Sequence, residues 1–475
     1  MRLLPVIILT ALLGASAVQS GETQTENWKR CTSDDPDKSL RACSALIQSG
    51  DETGFRLAKA FYDRGLAYAH EGNCDLAVKD YDQSLRLNPT FAYAFYSRGA
   101  AHASKSDYDH AFQDYNHALQ LNPSLTFALY DRGLAFAHTG DYDRAIQDYE
   151  SVLRLNANFP DALCGRGLAF EHKGDYDRAI QDYNEVLRIN PNYTDGLVGR
   201  GSVFKWKGNY DRAIQDFDRA LRRNPNSFEA LIMRGLARTS KGDSDHATQD
   251  FDQALRLSPS SADALYDRGL AYAHKANYDR AIQDFDQALH LNPNDRNSLY
   301  ERGVAYANRG DYDRAITDYD QALQLDPSFA NAYYSLGVAY EHKGNYDSAI
   351  PEYDEALRLT PYDADSFYGR GFAYSRKGDY DRAIQDYDRA LRIDPSYTNA
   401  LGGRSIAFAH KGDYHRAMAD SAHFHWLKSG TLEKIIRLFH LACSIGVAFG
   451  FIIKRFRKGP VTGRESYTGI FHSGN

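Results

Sequence analysis

Tryptophan and methionine are scarce in this chain, three of each in 475 residues. Cysteine is confined to five positions, Cys31, Cys43, Cys74, Cys164 and Cys443. None of them forms a C-x-x-C pair, which removes zinc-finger and thioredoxin-like readings. A glycine-rich phosphate loop, a G-x-S-x-G elbow and an H-E-x-x-H helix are all missing. Basic charge is not in excess: the formal net charge is −7, and acidic and basic residues are interleaved, so nothing points to nucleic acid. These absences leave no signal for a catalytic centre, a cofactor or a metal.

What the chain has is tyrosine, 34 residues of it, placed at regular intervals. Gly65, Gly99, Gly133, Gly167, Gly201, Gly235, Gly269, Gly303, Gly337 and Gly371 stand 34 residues apart, and the next step lands on Ser405. Alanine repeats in the same register from Ala77 to Ala417 without a break. Proline does so from Pro89 to Pro395, interrupted once by Ala157. Three series in one register make eleven units over residues 58–431, the last of them degraded.

One unit, Thr126 to Phe159, shows what the residues dictate. Phe127, Ala128, Leu129, Tyr130, Leu134, Phe136 and Ala137 make the first half apolar on several sides, so it needs cover on several sides. Gly133 is a poor helix former, and its expected reason is the close approach of two helix backbones. Gly140 stops the first helix and Asp141 caps the second. Tyr142, Ala145, Ile146, Tyr149, Val152 and Leu153 then form one apolar stripe on an otherwise polar helix. Pairs such as Asn190-Pro191 close the second helix. Each unit is thus a helix hairpin that can bury its apolar faces only by stacking on its neighbours.

This pattern resembles the tetratricopeptide-repeat family, over residues 58–431. The resemblance implies an all-α, right-handed α-solenoid whose first helices line a concave groove, and a non-catalytic scaffold that binds proteins or peptides there. An arginine precedes the glycine in nine of the ten glycine-bearing units, where the family often has leucine; Leu336-Gly337 is the exception. Runs such as Gly-Asp-Tyr-Asp-Arg-Ala-Ile are similar to bacterial members. Residues 18–57 read as a linker followed by a divergent capping repeat, because a terminal unit needs a polar outer face.

Several residues have two readings. Tyr62, Tyr96, Tyr130, Tyr266, Tyr300, Tyr334 and Tyr368 share an inward position of the first helix; they either line the groove or pack between adjacent units. In mid-array this tyrosine gives way to Cys164, Val198 and Ile232, while Lys205, Trp206 and Arg238 introduce new chemistry, as a binding site or as drift. The family's chaperone-tail clamp uses a groove asparagine; Leu66, Leu134, Leu168 or Val304 stands there, which argues against such a clamp. His70, His138, His172, His274, His342 and His410 share the last turn of the first helix. Equivalent residues on successive hairpins are roughly 10 Å apart, whereas zinc needs its nitrogens within about 2.1 Å, so a favourable helix-dipole contact is the expectation. Asp218 with Arg222 and Asp388 with Arg392 read as exposed ion pairs along one helix. Pro351, inside a second helix, predicts a kink or a later helix start.

The two ends concern location. Arg2, an apolar run from Leu3 to Ala15 and Ala15-Ser16-Ala17 read as a signal peptide over 1–17, with an uncleaved anchor as the alternative. Export permits a Cys31–Cys43 disulfide, and free thiols are the alternative. Residues 435–453 are mostly apolar and would span about 28 Å as a helix. Lys454-Arg455-Phe456-Arg457-Lys458 follows, as at a cytoplasmic end. Arg437 and His440 weaken the span, and a solenoid cap is the alternative. The expectation is an exported scaffold of the bacterial periplasm or cell surface, tethered to the inner membrane by this C-terminal segment, without cofactor or metal and able to form homo-oligomers. An envelope carbohydrate-binding or enzyme-accessory protein is the runner-up.

Overall fold

The computed structural model describes residues 24–429, which form helices joined by short connections. Segments 1–17 and 435–453, the basic run behind the latter, and Cys443 lie outside the described residues. The chain divides into two units, Met1–Pro259 and Ser260–Asn475. The first contains α1 (24–31) and α2 (Pro36–Ser49), then six hairpins: α3 (Gly54–His70) with α4 (Cys74–Leu87), α5 (Ala92–Ser104) with α6 (Tyr108–Leu121), α7 (Thr126–His138) with α8 (Tyr142–Leu155), α9 (Pro160–His172) with α10 (Tyr176–Ile189), α11 (Thr194–Trp206) with α12 (Tyr210–Arg223), and α13 (Phe228–Lys241) with α14 (Ser244–Leu257). The second contains five: α15 (Ala262–His274) with α16 (Tyr278–Leu291), α17 (Arg296–Asn308) with α18 (Tyr312–Leu325), α19 (Ala330–His342) with α20 (Tyr346–Leu359), α21 (Ala364–Arg376) with α22 (Tyr380–Ile393), and α23 (Thr398–His410) with α24 (Tyr414–Ser429).

Within each unit the first helices of neighbouring repeats touch one another, whereas among the described residues no second helix touches another second helix. The first helices therefore form a continuous inner layer with the second helices outside it. Before the first hairpin, a disulfide joins Cys31 of α1 to Cys43 of α2. Cys31, Ala42, Cys43 and Leu46 pack with Ala60 of α3, so the pair closes the end of the stack.

Local signals set the helix ends. An Asp or Asn side chain caps the start of the second helices: Asp141 accepts the Arg144 N–H at 3.1 Å and Asn209 that of Arg212 at 3.3 Å. The small residue between the lysine or other C-cap and this Asp or Asn takes a left-handed conformation, φ 81° at Gly140. Ser106 and Ala276 occupy the same place with φ 60° and 55°, which strains an L-residue.

The repeating glycine of the first helix has a different reason from the one its sequence suggests. A Cβ at Gly235 would lie 2.6 Å from the Phe251 ring, and one at Gly133 would lie 2.9 Å from the Tyr149 ring. The space is taken by an aromatic ring of the second helix, joined at Gly371 by the Ala383 carbonyl oxygen at 3.2 Å. These rings, including Tyr81, Tyr149, Phe217 and Tyr319, are fully buried and form the centre of each hairpin.

The arginine before the glycine reaches two second helices at once. Arg200 donates from Nε and Nη2 to the two oxygens of Asp216 at 2.8 and 2.7 Å, and from Nη1 to Asn184 of the preceding repeat at 2.7 Å. Asp216 is only 3 % exposed. The same bracket is formed by Arg98 with Asp114 and Asp82, Arg234 with Asp250 and Asp218, Arg302 with Asp318 and Asp286, Arg370 with Asp386 and Asp354, and Arg404 with Asp420 and Asp388. This corrects the expectation of pairs along one helix: Asp218 and Asp388 are held by Arg234 and Arg404 of the next repeat. The reason is geometric, since the arginine's forked guanidinium donates to acceptors on both helices while an exposed i,i+4 pair contributes only a few tenths of a kcal/mol. The repeat with Leu336 in place of arginine also carries Glu352 in place of the aspartate.

Pro351 does not delay its helix. α20 begins at Tyr346, as its equivalents begin at their tyrosines, with Asn345 as its cap and Pro351 inside. Pro351 is exposed, so the carbonyl that loses its donor faces water rather than the core.

Replacing Ala276 by glycine should relieve the left-handed strain and stabilise the second unit by roughly 1 kcal/mol. A urea titration should show a raised midpoint; an unchanged or lowered one contradicts this assignment.

Candidate functional site

The inner layer of first helices leaves one face open in each unit, and the tyrosines stand on it half-buried. Each ring leans on the buried aromatic of its own second helix, at 5.9 Å between centroids for Tyr62 with Tyr81 and 6.0 Å for Tyr334 with Tyr353. Several also touch the aromatic that leads into the next repeat: Tyr62 with Phe91 at 4.8 Å, Tyr300 with Phe329 at 4.9 Å and Tyr368 with Tyr397 at 5.4 Å. The two readings of these residues are thus combined, because one side of a ring is held between repeats while the rest remains on the open face.

Sequence reading missed the carboxylates beside them. In the first unit Tyr96 donates its hydroxyl proton to Asp131 at 2.8 Å, and Tyr193 donates to Asp161. Glu171 accepts from Ser202 at 2.8 Å. In the second unit Tyr397 donates to Asp365 at 2.5 Å and Tyr353 donates to Glu341 at 3.0 Å. Burial raises the pKa of Asp131, partly offset by Tyr96. Burial likewise raises Glu229, with Asp195 adding to it. Glu301 is pushed up to about 7 by burial. Glu341 also reaches about 7 from burial, although the Tyr353 hydroxyl and Arg376 act against it. The signal was available: Asp63, Asp131, Asp267 and Glu301 each follow an inward tyrosine directly.

The mid-array candidates are scattered. Trp206 is 62 % exposed at the end of α11, with Lys205 Nζ 4.4 Å from its ring centre. Arg238 points away from the open face: its Nη1 donates to Asp250 at 2.7 Å, joining Arg234 on the same carboxylate. Val198 is buried, and burial pushes the Cys164 thiol up to about 12. The repeated histidines stack on the tyrosine that opens the preceding second helix, His172 on Tyr142 at 4.7 Å and His342 on Tyr312 at 4.8 Å. These are contacts between repeats, thirty residues apart in sequence.

Models of one repeat family cover most of the array. Two models described as "Tetratricopeptide repeat" match, one over residues 130–194 and 300–364, the other over 92–125, 194–227, 262–295 and 364–397. A third, described as "TPR repeat", matches 65–106 and 235–276. The chain belongs to the tetratricopeptide-repeat family. Proteins with tetratricopeptide repeats generally serve as protein-interaction scaffolds, and none of these matched models is of a catalytic family. The comparison with curated proteins returned no match. Among solved structures, a tetratricopeptide-repeat protein from Parabacteroides merdae ATCC 43184 is 21 % identical, with 52 % of this chain and 98 % of that chain covered and a TM-score of 0.43. MamA is 30 % identical, with 34 % and 94 % covered and a TM-score of 0.32. YrrB, described as a TPR protein with an unusual peptide-binding site, is 25 % identical, with 39 % and 95 % covered and a TM-score of 0.34.

The raised carboxyls make stability fall as pH rises. Glu301 prefers its protonated form in the fold, so ionising it above its ordinary range destabilises the native state, and the effect is complete above about pH 7. Glu301→Gln should therefore be more stable than wild type at pH 8, by about 1–3 kcal/mol. The difference should shrink as pH falls towards 4.5, the ordinary value for glutamate. Thermal unfolding of both proteins across this range checks it; a difference independent of pH contradicts it.

Proposed function

We propose that this tetratricopeptide-repeat protein binds extended, basic segments of partner proteins along the open face of its first helices. The observation that carries the reading is the alternation of anchored tyrosines with carboxylates on that face. Rings held between repeats give rigid contact area at low entropic cost. Exposed carboxylates beside them, such as Asp365, complement lysine or arginine, and the ring faces add cation–π attraction. The scaffold role is non-catalytic: the regular placement of Asp and Tyr along eleven repeats serves binding over a long surface rather than chemistry at one point.

The same reading places the protein outside the cytoplasm of a bacterium. It is supported by the signal-like segment 1–17 and by the Cys31–Cys43 disulfide, which fits an oxidising compartment. Residues 435–453 would tether it to the membrane with the basic run in the cytoplasm. Among the described residues no helix is long and apolar enough to cross a membrane, so the tether rests on that segment alone.

Fluorescence anisotropy with a labelled lysine- and arginine-rich peptide and an acidic peptide of equal length tests the binding. The basic peptide should bind more tightly, and Glu301→Lys with Asp365→Lys should weaken it by about tenfold or more. Equal binding of both peptides, no effect of the substitutions, or retention on cell-wall polysaccharide instead would overturn the proposal.

A further inference from the structure

The bend of the second hairpin differs from its equivalents in a correlated way. At this bend most repeats set an arginine of the second helix over an aromatic ring of the first: Arg144 over Phe136 at 4.4 Å, Arg178 over Phe170 at 4.3 Å and Arg382 over Tyr374 at 4.3 Å. In the second repeat both partners are histidine, His102 on α5 and His110 on α6. Their rings stack with centroids 5.1 Å apart. Between them stands Asp107, the cap of α6, whose carboxylate lies 2.8 Å from His110 Nδ1 and 3.3 Å from His102 Nδ1.

His102 Nδ1 is buried and completes no hydrogen bond. A buried ring nitrogen left so is under-satisfied. One ligand atom from each of the three residues lies within 4.8 Å of the others. Ligands at about 2.0–2.1 Å from a tetrahedral zinc lie roughly 3.3 Å from one another, so small side-chain rotations close the set. Lys105, at the same bend, is turned to Asp75 of the preceding repeat at 2.5 Å.

We propose that His102, Asp107 and His110 form a binding site for one divalent transition-metal ion of the zinc type. Two imidazoles and one carboxylate are a borderline-hard donor set that suits zinc, cobalt or nickel rather than calcium or magnesium. The ion would tie the end of α5 to the start of α6, replacing the aromatic–guanidinium contact of the other repeats, and would leave a coordination position open to water or to a partner's side chain. The sixth repeat supplies an internal contrast. There His246 and Asp243 make the same contact at 2.8 Å, but Arg238 stands in place of the first histidine, and its positive charge excludes a cation. The histidines repeated at the ends of first helices are separate from this site, since they stack on tyrosines one repeat away.

The test uses the full chain without a polyhistidine tag, stripped with chelator and titrated with zinc chloride by calorimetry and with cobalt chloride by visible absorption. Wild type should bind one equivalent at this site and develop the cobalt–imidazole absorption. His102→Phe with His110→Arg installs the pair that the third repeat uses, so it should keep the helical circular dichroism and lose that equivalent. Asp107→Asn keeps a capping residue, as Asn73 and Asn209 are in other repeats, and should lose the equivalent too. Failure of wild type to bind, or retention of the equivalent by either variant, overturns the site.

Discussion

Most repeats are arranged around a guanidinium that grips two second helices. The aspartate it holds is buried, and a buried carboxylate without a partner is destabilising by several kcal/mol. The arginine therefore cannot leave its place, and its third nitrogen fixes the preceding repeat in the same act. Glycine follows the arginine because the aromatic ring of the second helix lies against that turn, 2.6 Å from where a Cβ would stand at Gly235. Arginine, glycine, aspartate and ring thus form one linked set. The fourth hairpin of the array, with Arg166 on Asp182, shows its electrostatic side: the hydrogen bond to the carboxylate is the largest influence raising the arginine's pKa. In the ninth, Leu336 has replaced the arginine and Glu352 the aspartate. Without a guanidinium, Glu352 is pushed up to about 7 by burial, with Asp320 and Glu355 adding repulsion.

This division of labour frees the inner face. The bracket joins second helices, so the inward position of the first helix can be Tyr130, Cys164, Val198, Ile232 or Tyr266 without disturbing the linked set. Several of the tyrosine rings also rest on a neighbouring aromatic, Tyr62 on Phe91 and Tyr300 on Phe329 among them. Carboxylates gather beside it where they gain hydroxyl donors, as Asp131 does from Tyr96. A face that varies from repeat to repeat on a largely constant support is what the proposed scaffold for extended partners requires.

The hairpins were legible in the sequence because their signals are local: the left-handed residue at the bend, the Asp or Asn cap and the three-and-four spacing of the stripe all lie within one repeat. The bracket was not, since its partners stand sixteen residues away on either side, on two different helices, and local rules assign Asp218 to Arg222 instead. The histidine–tyrosine stacks were hidden for the same reason, being thirty residues apart. The tyrosines were found but half understood, because a repeating sequence position does not say which edge of a ring is covered. The pairing of His102 with His110 was hidden because each replaces a different residue of the usual arginine–aromatic contact, on two different helices. Of the two outcomes Pro351 allowed, the later helix start does not occur, because α20 keeps the cap and start of its equivalents.

If the bracket is what holds neighbouring repeats, restoring it where it is missing should tighten that place and no other. Native-state hydrogen exchange on the full chain, comparing wild type with Leu336→Arg combined with Glu352→Asp, measures this with Pro351 left unchanged. Slower exchange in α18, α19 and α20, with the first unit unaffected, is the result this reading predicts. Unchanged or faster exchange in those helices would show that burial of the apolar stripes alone holds the repeats together, and that the arginines merely accompany it.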